Sequence, residues 1–365
     1  MCIRDSSVDG RLRENLRDVP PSRLLSLLGV KYVITDKVFD VWIEGLFYDL
    51  QFSARLSPGG VPSVSTSDLP DFPTTALGVI SHLEGGQALP DGTPVARVTV
   101  AEKGGWSETY EMLAGRDTSE GRYRDGVAHG LAPVGHTWRD DPSGQDYVTQ
   151  IPLDGPRRLA TVTVEGVAPA GDFVLRGLSL VDTRTTTTRQ VNLSTDGNYR
   201  LVHSGDVKIY QNLDVLPRAF VVHQAEVVAD DEETIARLRD PAFDAAQHVV
   251  LAGGGPLVGG GTAEAEIVSY TPEEIFVKAT TDAPGYLLLT DTYYPGWQAT
   301  VDGQPAEIQR ADLMFRAVRL EPGAHQVVFR YQPASVHWGM WISIVALVLC
   351  LGALVWALRP RRVVG

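Results

Sequence analysis

The amino-acid sequence predicts a mainly β protein that ends in one transmembrane helix. Its 365 residues include 36 Gly and 23 Pro, a composition that favours short strands joined by many turns. Apolar and polar residues alternate in several stretches, among them Val95–Val100, Leu159–Val164 and Phe173–Val181. Near the carboxyl end, Trp338–Leu358 contains no charged residue. We expect a jelly-roll-like sandwich inserted in a small α/β module, then an immunoglobulin-like, membrane-proximal sandwich and the helix.

The amino-terminal region predicts a leader and the first part of the small module. Residues 1–14 contain no apolar run of the kind found in signal peptides, and we interpret them as a non-native or disordered leader. Leu24–Thr35 predicts a short helix and then a strand, whose expected partner is Val207–Asn212. Asp231–Arg239 begins with acids and ends with arginines, as a helix dipole favours. Residues 15–40 and 194–252 together are predicted to form the small α/β module.

Two sandwiches are predicted from short apolar stretches separated by turn residues. Residues 41–193 contain turn signals such as Asp91-Gly92 and Asp154-Gly155, which indicate the inserted jelly-roll-like sandwich. A glycine-rich linker is expected at 253–262. Residues 263–335 repeat the pattern of short strands and turns, and predict the immunoglobulin-like sandwich next to the membrane.

The apolar run at 338–358 has the length of a membrane span. At about 1.5 Å per residue it extends about 31 Å, close to the hydrocarbon thickness of a bilayer. Tryptophans, which prefer the membrane interface, lie near both of its ends: Trp338, Trp341 and Trp356. Basic residues follow it directly: Arg359, Arg361 and Arg362. We therefore expect residues 359–365 to be a cytoplasmic tail and the bulk of the chain to be extracytoplasmic. A buried core helix is the alternative, but such helices rarely stay apolar on every face.

Export of the residues before the span requires a translocation signal, and residues 1–14 offer none. We therefore interpret the chain as the C-terminal piece of a larger membrane protein. The alternative is a tail-anchored protein with a cytoplasmic head, which the arginines beyond the span disfavour.

Charge and cysteine content exclude several classes of protein. The formal net charge of −13 disfavours a nucleic-acid partner. Cys2 lies in the leader and Cys350 in the span, so no disulfide is expected. The eight histidines are scattered without the spacing of metal ligands, and we predict neither a metal site nor a cofactor.

The segment Leu287–Tyr331 carries the most distinctive pattern. It reads LLLTDTYYPGWQATVDGQPAEIQRADLMFRAVRLEPGAHQVVFRY and resembles the C-terminal domain of YfhO-like bacterial membrane proteins. Leu28–Ile34, Tyr210–Asn212 and Leu216–Ala219 resemble the module that precedes this domain in the same family. The family looks like part of the C-type superfamily of polytopic membrane glycosyltransferases, which use lipid-linked sugars on the outer side of the membrane. The resemblance does not cover residues 41–193.

This resemblance implies a parent protein that is a lipid-linked-sugar-dependent glycosyltransferase. The catalytic carboxylate of the superfamily lies in a loop between early membrane helices, so we carry over no catalytic residue and expect this chain by itself to be inert. Its implied role is to recognise or position a cell-envelope glycan acceptor, with membrane lipid and a glycan or lipid-linked sugar as partners. The alternative is a non-enzymatic, membrane-anchored surface sandwich with a carbohydrate-binding or adhesive role.

The candidate glycan-contacting residues are aromatic and acidic. Asp291, Tyr293, Tyr294 and Trp297 form one cluster, in which rings can stack on sugars and the carboxylate can accept hydrogen bonds from hydroxyls. A structural alternative is that Pro295-Gly296 shapes a turn while Trp297 fills the core. A third interpretation is that the two tyrosines pack against a membrane-embedded part of the full protein.

Trp106 and Trp138 are the candidates within residues 41–193. A carbohydrate-binding face would draw on the aromatic residues of this region: Trp42, Tyr48, Trp106, Tyr110, Tyr123, Trp138 and Tyr147. Packing within the core and loops is the alternative. The acidic stretch Asp117–Asp125 is an alternative calcium site, although it lacks the ligand spacing of an EF-hand.

Overall fold

The computed structural model describes residues 19–357, which form two compact units. The first comprises residues 19–26 and Val30–Val215, and the second comprises Leu27–Gly29 and residues 216–357. Strands dominate both, so the predicted mainly β class is confirmed, whereas the jelly-roll and immunoglobulin-like assignments stay predictions. The expected leader (1–14), the last residue of the expected span and the expected tail (359–365) lie outside the described residues.

Two antiparallel sheets enclose the main core of the first unit. The larger sheet contains, in spatial order, β13 (Thr187–Val191), β12 (Asp172–Asp182), β6 (Pro73–Glu84), β10 (Gln145–Arg158) and β9 (Val134–Thr137), with β4 (Ala54–Leu56) beside β12. The smaller sheet contains β5 (Ser63–Thr66), β11 (Thr161–Gly166), β7 (Pro94–Ala101) and β8 (Ser107–Leu113). Buried residues alternate along β11, so that Val162 and Val164 enter the core that Phe173 and Leu175 enter from the larger sheet.

A third sheet of the first unit joins the beginning and the end of that unit. It contains β1 (Tyr32–Thr35), β15 (Lys208–Asn212) and β14 (Tyr199–Ser204), and α1 (Ser22–Leu27) precedes it along the chain. The expected pairing of the first strand with Val207–Asn212 is confirmed, with Ile34 opposite Ile209. A hairpin of β2 (Asp40–Ile43) and β3 (Leu46–Asp49) follows β1. Its turn residues Glu44 and Gly45 both have positive φ, 51° and 77°, as a two-residue hairpin turn requires.

Two further sheets form the second unit. One contains β16 (Ala219–Val222), β21 (Gly285–Leu289), β25 (Phe315–Leu320), β24 (Gln309–Ala311), β18 (His248–Leu251) and β17 (Gln224–Val227). The other contains β19 (Ala263–Tyr270), β20 (Glu274–Thr281), β26 (Gly323–Tyr331), β22 (Trp297–Val301) and β23 (Gln304–Ala306). Their facing sides share a core that includes Val277 and Phe329 from one sheet, and Leu287 and Val318 from the other.

The structure divides the expected small module between the two units. Its strands Tyr199–Asn212 stay with β1, but Ala219–Val222 pairs with Tyr286–Leu289 and therefore belongs to the second unit. The parallel strands β17 and β18 in the same sheet are connected through α2 (Asp231–Arg239), as parallel pairing requires a crossover. The helix has the expected bounds, and Asp230 caps its N-terminus, because its carboxylate accepts from the Glu233 amide at 2.8 Å.

The expected linker at 253–262 also lies within the second unit. Leu257 exchanges two backbone hydrogen bonds with Ala225, at 2.8 and 2.9 Å, and the Tyr286 hydroxyl donates to the Gly255 carbonyl at 2.8 Å. The glycine-rich stretch is therefore fixed to the sheet rather than joining separate domains.

The second unit ends in the apolar helix α3 (Ala334–Ala357). Its stretch Ala334–Leu354 is 21 residues long and apolar enough to cross a membrane, and its most apolar part has no residue buried inside the protein. Gln332 and Pro333 alone separate this helix from β26. A helix that is apolar on every side and unburied here is typical of a membrane span rather than of a core helix.

Candidate functional site

A groove with a volume of about 420 Å³ lies at one end of the second unit. It occupies the end of the β19–β20–β26–β22 sheet from which β26 leads to α3, because Trp297 pairs with Tyr331 at that end. The groove is lined by aromatic, acidic, basic and small residues: Tyr270, Thr271, Pro272, Ile275, Asp291, Thr292, Tyr294, Trp297, Arg316 and Tyr331.

A tight turn before β22 presents the aromatic residues of this groove. Gly296 has φ +104°, and a Cβ atom there would approach Pro333 and Tyr331 to 3.0 Å. Only glycine fits such a position without strain. The Gly296 carbonyl accepts a hydrogen bond from the Gln332 amide at 2.7 Å, which ties the turn to the segment that enters α3. The glycine therefore sets both the turn and its attachment.

Asp291 is the charged centre of the groove and is only 9% exposed. Its Oδ1 lies 3.1 Å from Arg218 Nε, and its Oδ2 lies 3.2 Å from Arg316 Nη2. The Tyr270 hydroxyl donates to the same Oδ2 at 2.9 Å. Burial and this hydrogen bond raise the pKa of Tyr270, so the phenol stays protonated and keeps donating. One hydrogen bond and two ion pairs thus hold the carboxylate.

Arg316 joins the carboxylate to the aromatic residues. Its side chain is 2% exposed, and its guanidinium carbon lies 3.9 Å from the ring centroid of Trp297 and 5.7 Å from that of Phe329. Such stacking is a cation–π interaction. Its Nε and Nη1 have no hydrogen-bond partner within residues 19–357. Burial lowers the pKa of Arg316, an effect that the Asp291 charge partly offsets.

The remaining rings line the side of the groove that faces solvent. The ring of Tyr331 packs against two others, with centroid distances of 5.4 Å to Trp297 and 6.3 Å to Tyr294. Tyr294 is 59% exposed. Aromatic rings beside a fixed acceptor and charged donors can hold a flat ligand that is apolar on its faces and polar at its rim.

The structure brings together three of the four residues predicted in this cluster. Asp291, Tyr294 and Trp297 line the groove, whereas Tyr293 lies outside its lining and its amide donates to the Met314 carbonyl at 2.5 Å. Trp297 also packs against the sandwich core, so part of the structural alternative applies to it. Four other contributors had no predicted role: Arg218, Tyr270, Arg316 and Tyr331. The sequence offered a reason to consider three of them, because Arg218, Arg316 and Tyr331 lie inside the segments that resemble YfhO-like proteins.

Trp106 and Trp138 lie in the first unit and are both partly buried. The Arg157 guanidinium carbon lies 4.3 Å from the Trp106 ring centroid, and Trp106 packs against the sandwich core. Trp138 packs edge-on against His82 at 4.9 Å. These contacts agree with the packing alternative, and the glycan-binding interpretation of both residues stays a prediction.

The acidic stretch considered for calcium is occupied by contacts within the protein. Asp117 accepts from the Leu113 amide at 2.8 Å and from Arg116 at 2.7 Å. Glu120 accepts from the amides of Gly85 and Gly86 at 3.1 and 2.9 Å. Within residues 19–357, no group of three or more His, Cys, Asp or Glu side chains is arranged to hold a metal ion.

The fold and the groove define a β-rich protein carried on an apolar helix. Residues 262–343 match the family model described as "Bacterial membrane protein YfhO", which confirms the resemblance for β19 to β26, the residues that line the groove and the beginning of α3. The family description and the apolar helix together support membrane localisation. No curated protein matches this chain.

Two solved structures illustrate what the chain is similar to. The arabinofuranosyltransferase AftD from Mycobacteria is 12% identical over 94% of this chain and 27% of its own, with a TM-score of 0.21. Oxalate decarboxylase from Bacillus subtilis is 10% identical over 82% of this chain and 72% of its own, with a TM-score of 0.15. The chain thus spans about a quarter of the length of AftD, and TM-scores this low carry no argument about function.

Proposed function

We propose that the second unit recognises or positions a cell-envelope glycan acceptor at the membrane surface, as part of a glycosyltransferase-type membrane protein. The observation that carries the proposal is the groove itself, in which exposed rings surround a carboxylate held by two arginines beside an apolar helix. The link to sugar transfer rests on the YfhO-like character of residues 262–343. No catalytic residue is proposed within residues 19–357.

The chemistry of the groove suits a sugar. The faces of Tyr294 and Tyr331 provide apolar, electron-rich surfaces for the C–H face of a pyranose ring. Asp291 Oδ1 has one close donor, Arg218 Nε, and a carboxylate oxygen can accept about two hydrogen bonds. A sugar hydroxyl is therefore able to donate to Oδ1 without displacing the arginine.

The location suits an acceptor that is held close to a bilayer. Tyr331 lines the groove and is separated from the first residue of α3 by Gln332 and Pro333 alone. With α3 spanning the bilayer, the groove lies at the level of the lipid headgroups. We propose that this side is extracytoplasmic, because arginines follow the apolar run in the sequence.

The proposed orientation is tested by labelling a single cysteine in living cells. Val258 is 96% exposed, so Val258→Cys in a background with Cys2→Ser and Cys350→Ala provides one reactive thiol outside α3. We expect a membrane-impermeant maleimide to label it in intact cells. Labelling that occurs only after permeabilisation would contradict the extracytoplasmic position.

Glycan recognition is tested with the full chain in nanodiscs on an array of cell-envelope saccharides. Tyr294→Ala removes an exposed ring from the groove, and we expect it to weaken binding about five- to tenfold, because one aromatic contact contributes roughly 1 kcal/mol. Tyr293→Ala is the matched control, since this neighbouring tyrosine is exposed but lies outside the lining. Absence of binding to every envelope saccharide, or an equal effect of the two variants, would remove the proposed role.

A further inference from the structure

We propose that the first unit contains a second saccharide-binding site, a groove centred on Trp42. This groove has a volume of about 490 Å³, within the usual range for small-molecule sites. It is lined only by residues of the first unit, and it therefore does not depend on the glycan groove described above.

Trp42 is held in an exposed position by its hairpin. It lies in β2 opposite Phe47 of β3, and the two rings are 5.2 Å apart at 49°. The turn that follows fixes the register of this pair through the positive φ angles of Glu44 and Gly45. The indole is nevertheless 71% exposed. One exposed apolar side chain is common by itself, but this one lines a groove whose other lining residues, apart from Phe47, are polar.

The groove contains the carboxylate of Asp40, which a buried lysine holds. Asp40 pairs with Lys208, which is 1% exposed and lies 3.0 Å from Asp49 Oδ1. The Tyr210 hydroxyl donates to the other oxygen of Asp49 at 2.5 Å. The Asp40 side chain remains 16% exposed at the groove. A buried ammonium thus holds a hydrogen-bond acceptor in one place at the surface.

The edge strand β13 supplies hydrogen-bond donors to the groove. Thr187, Thr188 and Arg189 belong to β13, which pairs with β12 on one side. Arg189 Nη1 donates to the Thr188 carbonyl at 2.9 Å, and its guanidinium carbon lies 5.4 Å from the ring centroid of Phe72, so this side chain is already engaged within the protein. Threonine hydroxyls therefore line the same groove as the Asp40 carboxylate and the rings of Trp42 and Phe47.

This combination selects a pyranose sugar over other ligands. A pyranose ring has an apolar C–H face that fits an indole, and rim hydroxyls that both donate and accept hydrogen bonds. A protein or lipid partner would need a larger apolar area, whereas the large apolar side chains of this groove are Trp42 and Phe47. The groove also carries both signs of charge, on Asp40, Lys37 and Arg189, so we infer an uncharged oligosaccharide as the ligand.

The test measures saccharide binding by the full chain in nanodiscs. The probes are an array of neutral pyranose oligosaccharides that includes maltohexaose, cellohexaose and chitohexaose, and the readout is tryptophan fluorescence with calorimetry for each hit. We expect at least one probe to bind and Trp42→Ala to weaken its affinity tenfold or more. Tyr32→Ala, which removes another exposed ring of the same unit, is the matched control and should bind like the wild type.

Two further measurements distinguish this site from the groove of the second unit and from a lipid contact. The same probe should bind the Tyr294→Ala protein with unchanged affinity, because that variant alters only the groove of the second unit. Binding of no probe, or equal binding by the wild type and Trp42→Ala, would overturn the proposal. So would a loss of binding to added phosphatidylglycerol vesicles in Trp42→Ala without any saccharide binding, which would assign the indole to lipid.

Discussion

Each unit contains a cluster of buried charges beside a groove with a tryptophan, but the two clusters have opposite compositions. In the first unit one cation, Lys208, lies between two carboxylates, Asp40 and Asp49. In the second unit one carboxylate, Asp291, lies between two guanidinium groups, those of Arg218 and Arg316. The lone charge is buried in both clusters.

The difference indicates which charge of each cluster stabilises the fold and which one is available for binding. A lone charge has no substitute, so its loss leaves like charges close together without compensation. In each cluster, one of the two like charges is more exposed than the lone charge, Asp40 in the first and Arg218 in the second, and this more exposed group is available to a ligand. The first groove therefore offers a spare acceptor, and the second offers spare donors.

The largest effect is expected from removing the lone cation of the first unit. Lys208→Met leaves Asp40 and Asp49 without their shared cation, and should lower the free energy of unfolding by roughly 3–5 kcal/mol. Denaturant unfolding followed by fluorescence measures this change. Lys37→Met, an exposed lysine at the same groove, is the control and should alter stability by less than about 0.5 kcal/mol. Similar losses of unfolding free energy in the two variants would show that buried Lys208 matters no more for stability than exposed Lys37.

Asp312, a buried carboxylate without a cation beside it in the described residues, offers a contrast to the two clusters, because it should make the stability of the protein depend on pH. Asp312 forms no ion pair within residues 19–357, and its Oδ1 accepts from the Val250 amide at 2.9 Å. Burial raises the pKa of Asp312 to about 7, above its ordinary value of 3.8. The folded state therefore holds a proton that the unfolded state has released, and stability falls as pH rises from about 4 to about 7. At about 1.4 kcal/mol per pKa unit, the loss reaches roughly 4 kcal/mol.

Asp312→Asn keeps the acceptor for Val250 and removes the titration. We expect this variant to unfold at a higher temperature than the wild type at pH 8, and to differ little from it at pH 4. Thermal unfolding at a series of pH values measures the two slopes. Parallel slopes for the wild type and the variant would show that another group is responsible.

A change in the turn that carries the groove should have an intermediate effect. Gly296→Ala places a Cβ atom against Pro333 and Tyr331 at a positive φ, and should cost roughly 1–3 kcal/mol. We expect weaker saccharide binding as well, since Tyr294 and Trp297 flank the turn. Gly303→Ala is the control, because its φ is also positive but a Cβ atom there meets nothing within 4 Å. Equal losses of binding in both variants would show that saccharide binding does not depend on the close packing of Gly296 against Pro333 and Tyr331.

The smallest effect on stability is expected from Arg218→Gln. The side chain is more than half exposed, and an ion pair of this kind contributes about 1 kcal/mol or less. Saccharide binding should nevertheless fall severalfold, since Arg218 is the exposed donor beside Asp291. Arg330→Gln, which breaks an exposed pair with Glu274, is the control for stability without an effect on binding. Unchanged binding by Arg218→Gln would place this arginine outside the recognition groove.

Local patterns were the most informative part of the sequence. The helix Asp231–Arg239 and a strand ending at Thr35 were predicted because charge order and a run of β-branched and aromatic residues are properties of neighbouring residues. The sequence did not predict that Ala219–Leu251 belongs to the second unit. Strand pairing is a contact between distant segments, and several sheets offer similar edges. Residue type and order identify a strand more readily than its partner.

The candidate site was predicted in part for the same reason. Asp291, Tyr294 and Trp297 lie in one short motif, so the motif alone is enough to find them together. Arg316 was missed because an arginine within an apolar strand is usually exposed, and its burial depends on Asp291 and Trp297 arriving from elsewhere in the chain. Tyr270 lies at the end of a strand with mostly exposed residues, and nothing local distinguishes it.

The short connection between β26 and α3 has a consequence for how a ligand reaches the second groove. Gln332 and Pro333 extend at most about 3.6 Å each, and the Gln332 amide donates to the Gly296 carbonyl. The distance between the groove and the start of α3 can therefore hardly change. A polymer dissolved in the surrounding medium must find this opening by diffusing in three dimensions. A chain tethered to lipid in the same leaflet travels at a constant height and meets the opening by sliding sideways, so the proposed role makes the lipid anchor of an acceptor as important as its sugars.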